Sequence, residues 1–333
     1  MTRREVIQLF GAFGLTLAYP SPLSLFAQNN NQMNKKEFEV VIIGGSYAGL
    51  SAALTLGRSL RNTLIIDAGK PCNRQTPYAH NFLTQDGSTP SEILEVAKRQ
   101  LSRYDSIEYY TGHAISGKRI LNGFEINTSN GDVFKARKLV FATGIKDIMP
   151  NIEGVSECWG VSVVHCPYCH GYEIQNMKTA IIANGDKAFH LASLINNLTR
   201  EITILTSGTK DFEEDQLEKL DQHNITIIEK EIRAIEHENG YLEKIVFEDG
   251  SSEIFENAYV SIPFELNSMI PVELGCKLTE HGHLEVNFLQ KTTEEGIFAC
   301  GDNSSMMRSV ASAVNGGNIT GAIINHELTQ ENF

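Results

Sequence analysis

The segment EFEVVIIGGSYAGLSAALTLGRSLRNTLIIDAG, residues 37–69, decides the fold of this chain. Its apolar run at 40–43 predicts a buried strand, and the small residues of 48–60 predict a helix after a glycine-rich turn. Residues 63–67 predict a second strand. Two strands joined through a helix in this way lie parallel and are connected by a right-handed crossover. The chain is therefore predicted to be an α/β protein.

The glycine-rich turn has the pattern of a dinucleotide-binding site. The motif G-x-G-x-x-G is present at 44–49 with Ser46 in place of the middle glycine, and Asp67 closes the second strand. The N-terminus of a helix favours phosphate because its free N–H groups and positive dipole end face the ligand. An acidic residue at the end of the second strand binds ribose hydroxyls. The alternative is a tight turn that binds nothing.

Further patterns predict the rest of the secondary structure. Residues 90–104 are amphipathic and predict a helix, 123–144 predict a hairpin with an Asn130-Gly131 turn, and 308–328 predict a final helix. A second strand–turn–helix–strand unit begins near Lys178. The dinucleotide-binding pattern therefore occurs twice in the chain.

The bulk composition is that of a globular protein. The chain has 333 residues, of which 41% are hydrophobic and 21% are charged, and this length suits two domains or one large one. Its net charge of −13 disfavours nucleic acid and anionic membranes as partners, since both select basic surfaces. Six cysteines in so long a chain do not make a disulfide framework.

The first 28 residues differ from the rest and predict an export signal. Arg3 and Arg4 precede an apolar run at 6–19, and a small residue, Ala27, stands near the end of the segment. The order of these residues resembles a twin-arginine signal. Residues 29–37 are then expected to be a polar linker. This predicts export to the periplasm or cell envelope, and the alternative is a cytoplasmic protein with a frayed N-terminal helix.

The segment VSVVHCPYCHGYEI, residues 161–174, places Cys166 and Cys169 two residues apart with a histidine on each side. A glutaredoxin loop would follow the first strand of a small domain, whereas this segment lies in mid-chain. A zinc site needs four ligands, and no second pair occurs at the usual spacing, so no metal is predicted. A redox disulfide is favoured, and a purely structural disulfide stays open for an exported protein.

Four landmarks, taken together and in this order, resemble the low-molecular-weight thioredoxin reductases of the pyridine nucleotide-disulfide oxidoreductase superfamily. They are the motif at 44–49, Ala-Thr-Gly at 142–144, C-P-Y-C at 166–169 and Gly-Asp at 301–302. The resemblance covers about 40–322. It implies two Rossmann-like dinucleotide-binding domains, the second inserted into the first, and a homodimer.

The resemblance also implies the domain boundaries. An FAD-binding domain would be formed by 38–148 together with 268–330. The inserted domain, which resembles an NAD(P)-binding domain, would span 149–267 and carry the redox cysteines.

FAD is the cofactor that the resemblance implies. The turn at 44–49 would pack against its pyrophosphate and Asp67 would hold its adenosine ribose. Asn81 would lie near the flavin, Asp302 would bond the ribityl chain, and 308–310 would place backbone beside the isoalloxazine. The residues assigned to FAD in this way are Gly44, Gly45, Ser46, Gly49, Asp67, Asn81, Ala114, Thr143, Gly144, Gly301, Asp302, Arg308, Ser309 and Val310.

The resemblance likewise assigns the two cysteines. Cys169 would exchange electrons with FAD, and Cys166 would form the mixed disulfide with a partner thiol. This exchange needs a thiolate. His170 stands where thioredoxin reductases usually have an aspartate that acts as acid and base, and histidine can do the same because it titrates near neutral pH.

The second nucleotide-binding pattern departs from the family. It reads Ala183-Asn-Gly185-Asp-Lys-Ala188, so its first glycine is replaced. Residues 205–215, where the family has arginines for the NADPH 2′-phosphate, carry one lysine, no arginine and several acids. A phosphate favours paired guanidinium groups. The sequence therefore leaves the use of NADPH or NADH open.

Three functional hypotheses follow. The first is an FAD-dependent, thioredoxin reductase-like enzyme that acts on a thiol protein or a small dithiol through Cys166 and Cys169. The second is a nicotinamide-independent dithiol oxidase that passes electrons to oxygen or another acceptor. The third is a flavin-binding protein without catalytic activity.

Overall fold

The computed structural model describes residues 36–333. The predicted export signal and most of the predicted linker lie outside the described residues. In chain order the elements are β1 (Lys36–Ile43), α1 (Tyr47–Arg58), β2 (Thr63–Asp67), α2 (Pro90–Leu101), β3 (Ile107–Thr111), β4 (Ala114–Ile120), β5 (Gly123–Thr128), β6 (Val133–Phe141), β7 (Ile145–Asp147), α3 (Val155–Cys158), β8 (Val163–Val164), α4 (Pro167–His170), β9 (Thr179–Ile182), α5 (Gly185–Ile195), β10 (Ile202–Leu205), α6 (Glu214–Gln222), β11 (Thr226–Ile228), β12 (Ile232–Glu238), β13 (Tyr241–Phe247), β14 (Ser252–Ile254), β15 (Asn257–Val260), β16 (Phe264–Leu266), α7 (Ile270–Glu273), β17 (Ile297–Ala299) and α8 (Val310–Asn332).

The first sheet has the order β3-β2-β1-β6-β5-β4, and β17 also pairs with β6. Strands β1, β2, β3, β6 and β17 are parallel, whereas β4 and β5 form an antiparallel edge. Strand β1 is apolar on both sides: Val41 and Ile43 belong to one core, and Val40 and Ile42 to the other, beside α1 and α8. A parallel sheet covered on both faces accounts for the continuous apolar run.

Helices α1 and α8 approach closely along glycines. A Cβ added at Gly317 would lie 2.1 Å from the carbonyl oxygen of Ala48, and one at Gly321 would lie 2.7 Å from that of Ala52. Only residues without a side chain allow this distance between helices. The contact places the C-terminal helix against the helix that begins at the glycine-rich turn.

The second sheet is parallel and has the order β11-β10-β9-β15-β8. An antiparallel sheet of β12, β13 and β14 accompanies it. The chain passes between the two parallel sheets through β7 and β16, which pair with each other in antiparallel register. The predicted domain boundaries stay a proposal, and the two chain crossings lie side by side near them.

Most predicted elements are confirmed. The strand–helix–strand unit of 37–69, the 123–144 hairpin and the second unit from Lys178 all form, and the predicted 90–104 helix ends at Leu101. The end of the predicted linker is wrong, because Lys36 already pairs with Phe134 of the sheet. Among the described residues, no helix is both long and apolar enough to cross a membrane.

Candidate functional site

A cavity of about 760 Å³ lies where four parallel strands of the first sheet end. Its walls include the residues that follow β1, β2, β6 and β17, namely Gly44, Asp67, Ala142 and Gly301. In open α/β sheets, ligands bind at the carboxyl ends of the strands. The cavity is therefore where the fold favours a ligand.

The glycine-rich turn is shaped by backbone contacts that a side chain would block. Gly44 has φ of +107°, and a Cβ there would lie 2.2 Å from the carbonyl oxygen of Ala142. A Cβ at Gly49 would lie 1.9 Å from the carbonyl oxygen of Gly44. Ser46 is the N-cap of α1, and its side chain makes no capping hydrogen bond. Gly44, Gly45 and Ser46 line the cavity, whereas Gly49 acts by letting the turn close.

Asp67 is held at the end of β2 by three groups. Its Oδ1 accepts a hydrogen bond of 3.1 Å from the Gly45 N–H. The Tyr109 hydroxyl donates to Oδ2, and Lys98 Nζ lies 4.0 Å from the same oxygen. Burial raises the pKa of Tyr109, and the hydrogen bond to Asp67 acts in the same direction. Sequence reasoning missed Lys98 and Tyr109, because each reaches Asp67 only through tertiary packing.

Cys166 and Cys169 form a disulfide, with their Cα atoms 5.3 Å apart. Cys166 is the N-cap of the short helix α4, and Cys169 lies inside that helix. Cys169 and His170 line the same cavity as the glycine-rich turn, and Cys166 is not among its lining residues. The structure therefore brings one of the two sulfurs to the predicted cofactor cavity.

Two histidines beside the disulfide are half-buried and neutral at pH 7. Burial lowers the pKa of His170 to about 4, and burial together with the Arg308 charge lowers that of His165 to about 4. Within the described chain, neither ring nitrogen of His170 has a hydrogen-bond partner. His165 stacks on Trp159, with ring centroids 5.6 Å apart. A neutral imidazole with a free nitrogen can accept a proton.

His80 is a cavity residue that sequence reasoning missed. Its Nε2 lies 3.5 Å from Glu173 Oε1, in the segment after α4, and its Nδ1 lies 3.8 Å from Asp86 Oδ1. Its charge lowers the pKa of His170, after burial, which contributes more. No motif at 80 pointed to this role, since the contact joins segments that are distant in the chain.

The predicted FAD residues from 143 onwards all line the cavity. Thr143, Gly144, Gly301, Asp302, Arg308, Ser309 and Val310 line it. Burial raises the pKa of Asp302 to about 6, while the charge of Arg308 opposes the rise. Arg308 forms a two-point ion pair with Asp147, at 2.9 and 3.0 Å. Asp147, at the end of β7, was not predicted from sequence.

Besides Gly49, two predicted cofactor residues do not line the cavity. Asn81 has an exposed side chain, and its backbone N–H donates to Asp86 Oδ1 at 2.7 Å. Ala114 is buried on β4 in the apolar core. Neither lines the cavity. That they contact FAD stays a prediction, and the structure adds that Asn81 has a left-handed backbone conformation and Ala114 packs within the sheet.

The N-terminus of α5, where a second dinucleotide would bind, is covered by its own chain. The Asn184 side-chain oxygen accepts hydrogen bonds of 2.9 Å from the Gly185 and Asp211 N–H groups, and its amide donates to the Thr209 carbonyl at 2.9 Å. A Cβ at Gly185 would lie 2.8 Å from the Asp211 carbonyl oxygen. Ala188 is fully buried in the core below, and Ala183 is partly buried against the same core. The loop at 209–211 thus packs against the start of α5, while Asp186 and Lys187 of its first turn stay exposed.

Two lysines near this helix are paired with acids, whereas Lys187 in its first turn is exposed. Lys210 Nζ lies 3.4 Å from Glu229 Oε1, and Lys219 Nζ lies 3.0 Å from Asp215 Oδ2. These are the two lysines of 205–222, a segment without arginine. The segment at 205–222 is therefore acidic, and both of its lysines are already paired. Across residues 36–333, no group of three or more His, Cys, Asp or Glu side chains is arranged to hold a metal ion.

Comparisons with known proteins agree with this geometry. The family model described as pyridine nucleotide-disulphide oxidoreductase matches residues 38–317. Thioredoxin reductase tcpT of Claviceps purpurea is 30% identical over 303 residues, 87% of this chain and 94% of that protein. A solved oxidoreductase from Agrobacterium tumefaciens superposes with a TM-score of 0.83 at 35% identity, covering 88% of this chain and 99% of that one. The putative thioredoxin reductase TrxB from Bacillus anthracis superposes with a TM-score of 0.85 at 29% identity, covering 89% and 100%.

Proposed function

Because the chain belongs to the pyridine nucleotide-disulphide oxidoreductase family, we propose that it passes two electrons between FAD and the Cys166–Cys169 pair, and on to or from a partner thiol. It is a thioredoxin reductase-like enzyme in sequence and fold. One observation carries the proposal: Cys169 lines the same cavity as the dinucleotide-binding turn at 44–49.

The residues of the cavity fit FAD. Its volume of about 760 Å³ lies within the range of about 300–1,000 Å³ that ligand sites occupy. Gly44 and Gly45 have no side chains, so a pyrophosphate could approach the backbone N–H groups beside the N-terminus of α1. Asp67 and Asp302 would hold the ribose and the ribityl chain at the two ends. Bound FAD would supply a two-electron donor or acceptor next to Cys169.

The cysteines would act by thiol–disulfide exchange. In the oxidising direction, a partner thiolate attacks Cys166, the Cys166–Cys169 bond breaks, and Cys169 leaves as a thiolate. The second partner thiol then displaces Cys166, which yields a partner disulfide and a Cys166–Cys169 dithiol holding two electrons. The reducing direction reverses each step. His170, neutral at pH 7, would take up or return the proton of a thiol.

A second candidate function is a dithiol oxidase that does not use nicotinamide. The observation that favours it is the covered N-terminus of α5, together with the acidic loop at 205–215. Electrons would then run from a substrate dithiol through Cys166 and Cys169 to FAD, and from there to oxygen or another acceptor. Oxygen reduced by two electrons and two protons gives hydrogen peroxide, which balances the oxidation of one dithiol.

An anaerobic titration of the FAD-loaded chain tests both candidates. NADPH and then NADH would be added while flavin absorbance is followed, and dithiothreitol would be added last. Loss of absorbance with nicotinamide supports the reductase, and loss only with dithiothreitol, reversed by air, supports the oxidase. C166S and C169S variants that behave like the wild type in this titration would instead support a non-catalytic flavin protein.

Export and dimerisation belong to this proposal as well. The twin-arginine-like segment at 1–28 supports export, and its removal would be seen as a lower mass of the protein recovered from the cell envelope. The family resemblance supports a homodimer, and sedimentation of the FAD-loaded chain would test it. A protein of full mass in the cytoplasm would contradict export, and a monomer would contradict the dimer.

A further inference from the structure

We propose that the Arg308 side chain, anchored by Asp147, is a positioning residue whose positive charge favours electron uptake at the flavin cavity. This inference rests on the proposed function, since it requires FAD in the cavity. The sequence suggested only that the backbone of 308–310 lies beside the flavin. The structure adds a side chain that is held in place from an unrelated part of the chain.

The geometry of the pair fixes the guanidinium group. Arg308 Nη1 lies 2.9 Å from Asp147 Oδ1, and Nη2 lies 3.0 Å from Oδ2. The contact to Oδ2 is a hydrogen bond and the contact to Oδ1 is an ion-pair contact, and together they hold the guanidinium beside the carboxylate. The side chains are 16% and 7% exposed, and both residues line the cavity. The charge is therefore held on the cavity wall rather than in solvent.

Arg308 also meets two other cavity residues. Its Nε lies 3.9 Å from Asp302 Oδ2, and its Nη2 lies 3.8 Å from Cys72 Sγ. In the described chain the buried Nε has no hydrogen-bond partner. A buried donor without a partner is costly, and it is common where a ligand completes the site. Arg308 thus joins three segments around the cavity, those of Cys72, Asp147 and Asp302, and keeps one donor unused.

The positive charge of Arg308 matters because reduction of a bound flavin changes the charge of the cavity. Two electrons and one proton convert an oxidised flavin into its anionic reduced form, which adds one negative charge to the cavity. A fixed positive charge in a site of low dielectric stabilises that added charge. Asp147 cancels part of this effect while it holds Arg308 in place. Arg308 and Asp147 should therefore shift the equilibrium of two-electron flavin reduction in opposite directions.

The midpoint potential of the bound flavin tests this inference in the full, FAD-loaded chain. We expect R308Q to lower the equilibrium constant for two-electron reduction about tenfold, which corresponds to about 30 mV. D147N should raise it by a similar factor, and the R308Q/D147N double variant should return close to the wild type. K146Q, which removes an exposed lysine of the same strand, should leave the potential unchanged.

A merely structural role predicts a different pattern. It would lower FAD affinity in both single variants, without potential shifts of opposite sign. Shifts of one sign, or no shift in variants that bind FAD normally, would overturn the inference. If R308Q does not fold, R308K and the double variant make the same test, since R308K keeps the charge and should stay near the wild-type potential. A wild type that binds no FAD would instead overturn the proposed function itself.

Discussion

The Asn184 side-chain oxygen accepts a hydrogen bond of 2.9 Å from the backbone N–H of Asp211, which lies 27 residues further along the chain. The same oxygen accepts from the Gly185 N–H. A single amide thus bonds the first N–H of α5, where a dinucleotide would bind, and ties the loop at Asp211 to that helix. This relationship bears directly on which electron donor the protein can use.

The acidic loop should make NADPH a poor ligand. We expect NADPH to bind about tenfold more weakly than NADH, because exposed Glu213 and Glu214 repel a 2′-phosphate and Lys210 and Lys219 are already paired. Calorimetric titration of the FAD-loaded chain would measure the dissociation constants of NADPH and NADH. E213K should reduce the difference in affinity between NADPH and NADH. E243K, which makes the same change of charge on β13, should leave that difference unchanged. Tighter binding of NADPH than of NADH would contradict this prediction.

The half-buried histidines should make the protein sensitive to acid. The folded pKa of His170 is about 4, below the ordinary value of 6.5, so between these two pH values the unfolded chain binds more protons. Stability is therefore lost as the pH falls from 6.5 towards 4, by about 3 kcal/mol for this residue over the full interval. H170Q should lose correspondingly less stability than the wild type.

Denaturant unfolding at pH 7 and pH 4.5 would measure this effect. Asp302 contributes in the opposite direction, because burial raises its pKa to about 6 and the folded state then binds the extra proton. This contribution is the same in H170Q and in the wild type, so it cancels when the two proteins are compared. H190Q serves as a control, since His190 is exposed on α5. Equal loss of stability in H170Q and the wild type would show that His170 is not buried in its neutral form.

Two neighbouring glycines of α8 should respond differently to alanine. A Cβ at Gly317 would lie 2.1 Å from the Ala48 carbonyl oxygen, so G317A should destabilise the fold by about 2 kcal/mol through overpacking. At Gly316 the nearest atoms lie at 3.5 Å, an ordinary contact. G316A should therefore be neutral, or stabilising by up to about 1 kcal/mol through helix propensity. Thermal unfolding would compare them, and equal effects would argue against the close α1–α8 contact.

The two redox cysteines should differ in accessibility when FAD is bound. Cys169 lines the cavity that FAD would fill, whereas Cys166 does not. In C169S the remaining Cys166 should react with a chromogenic disulfide reagent about tenfold faster than Cys169 does in C166S. Both variants would carry C72S, because Cys72 is only partly buried and the other free cysteines are buried. If Cys169 were labelled faster than Cys166, Cys169 would be the cysteine that meets the partner thiol and Cys166 the one that faces FAD.

The sequence by itself determined the local units of this fold. Apolar runs, the glycine pattern at 44–49 and the Asn130-Gly131 turn predicted strands, helix and hairpin, and the structure has them. These signals work because periodicity and turn chemistry act within a few residues. The C-P-Y-C spacing likewise indicated a disulfide, since both cysteines lie within one turn of α4.

Tertiary structure alone decided how these units form a site. The pairing of Asp147 with Arg308 joins residues 161 apart, and the contact of His80 with Glu173 joins two distant segments. It also left Asn81 exposed, with its backbone N–H bonded to Asp86, and brought Asp211 to the start of α5. Contacts of this kind depend on where β7, β16 and the loops cross, and no local pattern encodes that path. The physical reason is that a charge pair or a cap is stable only when distant backbone segments hold both partners in place.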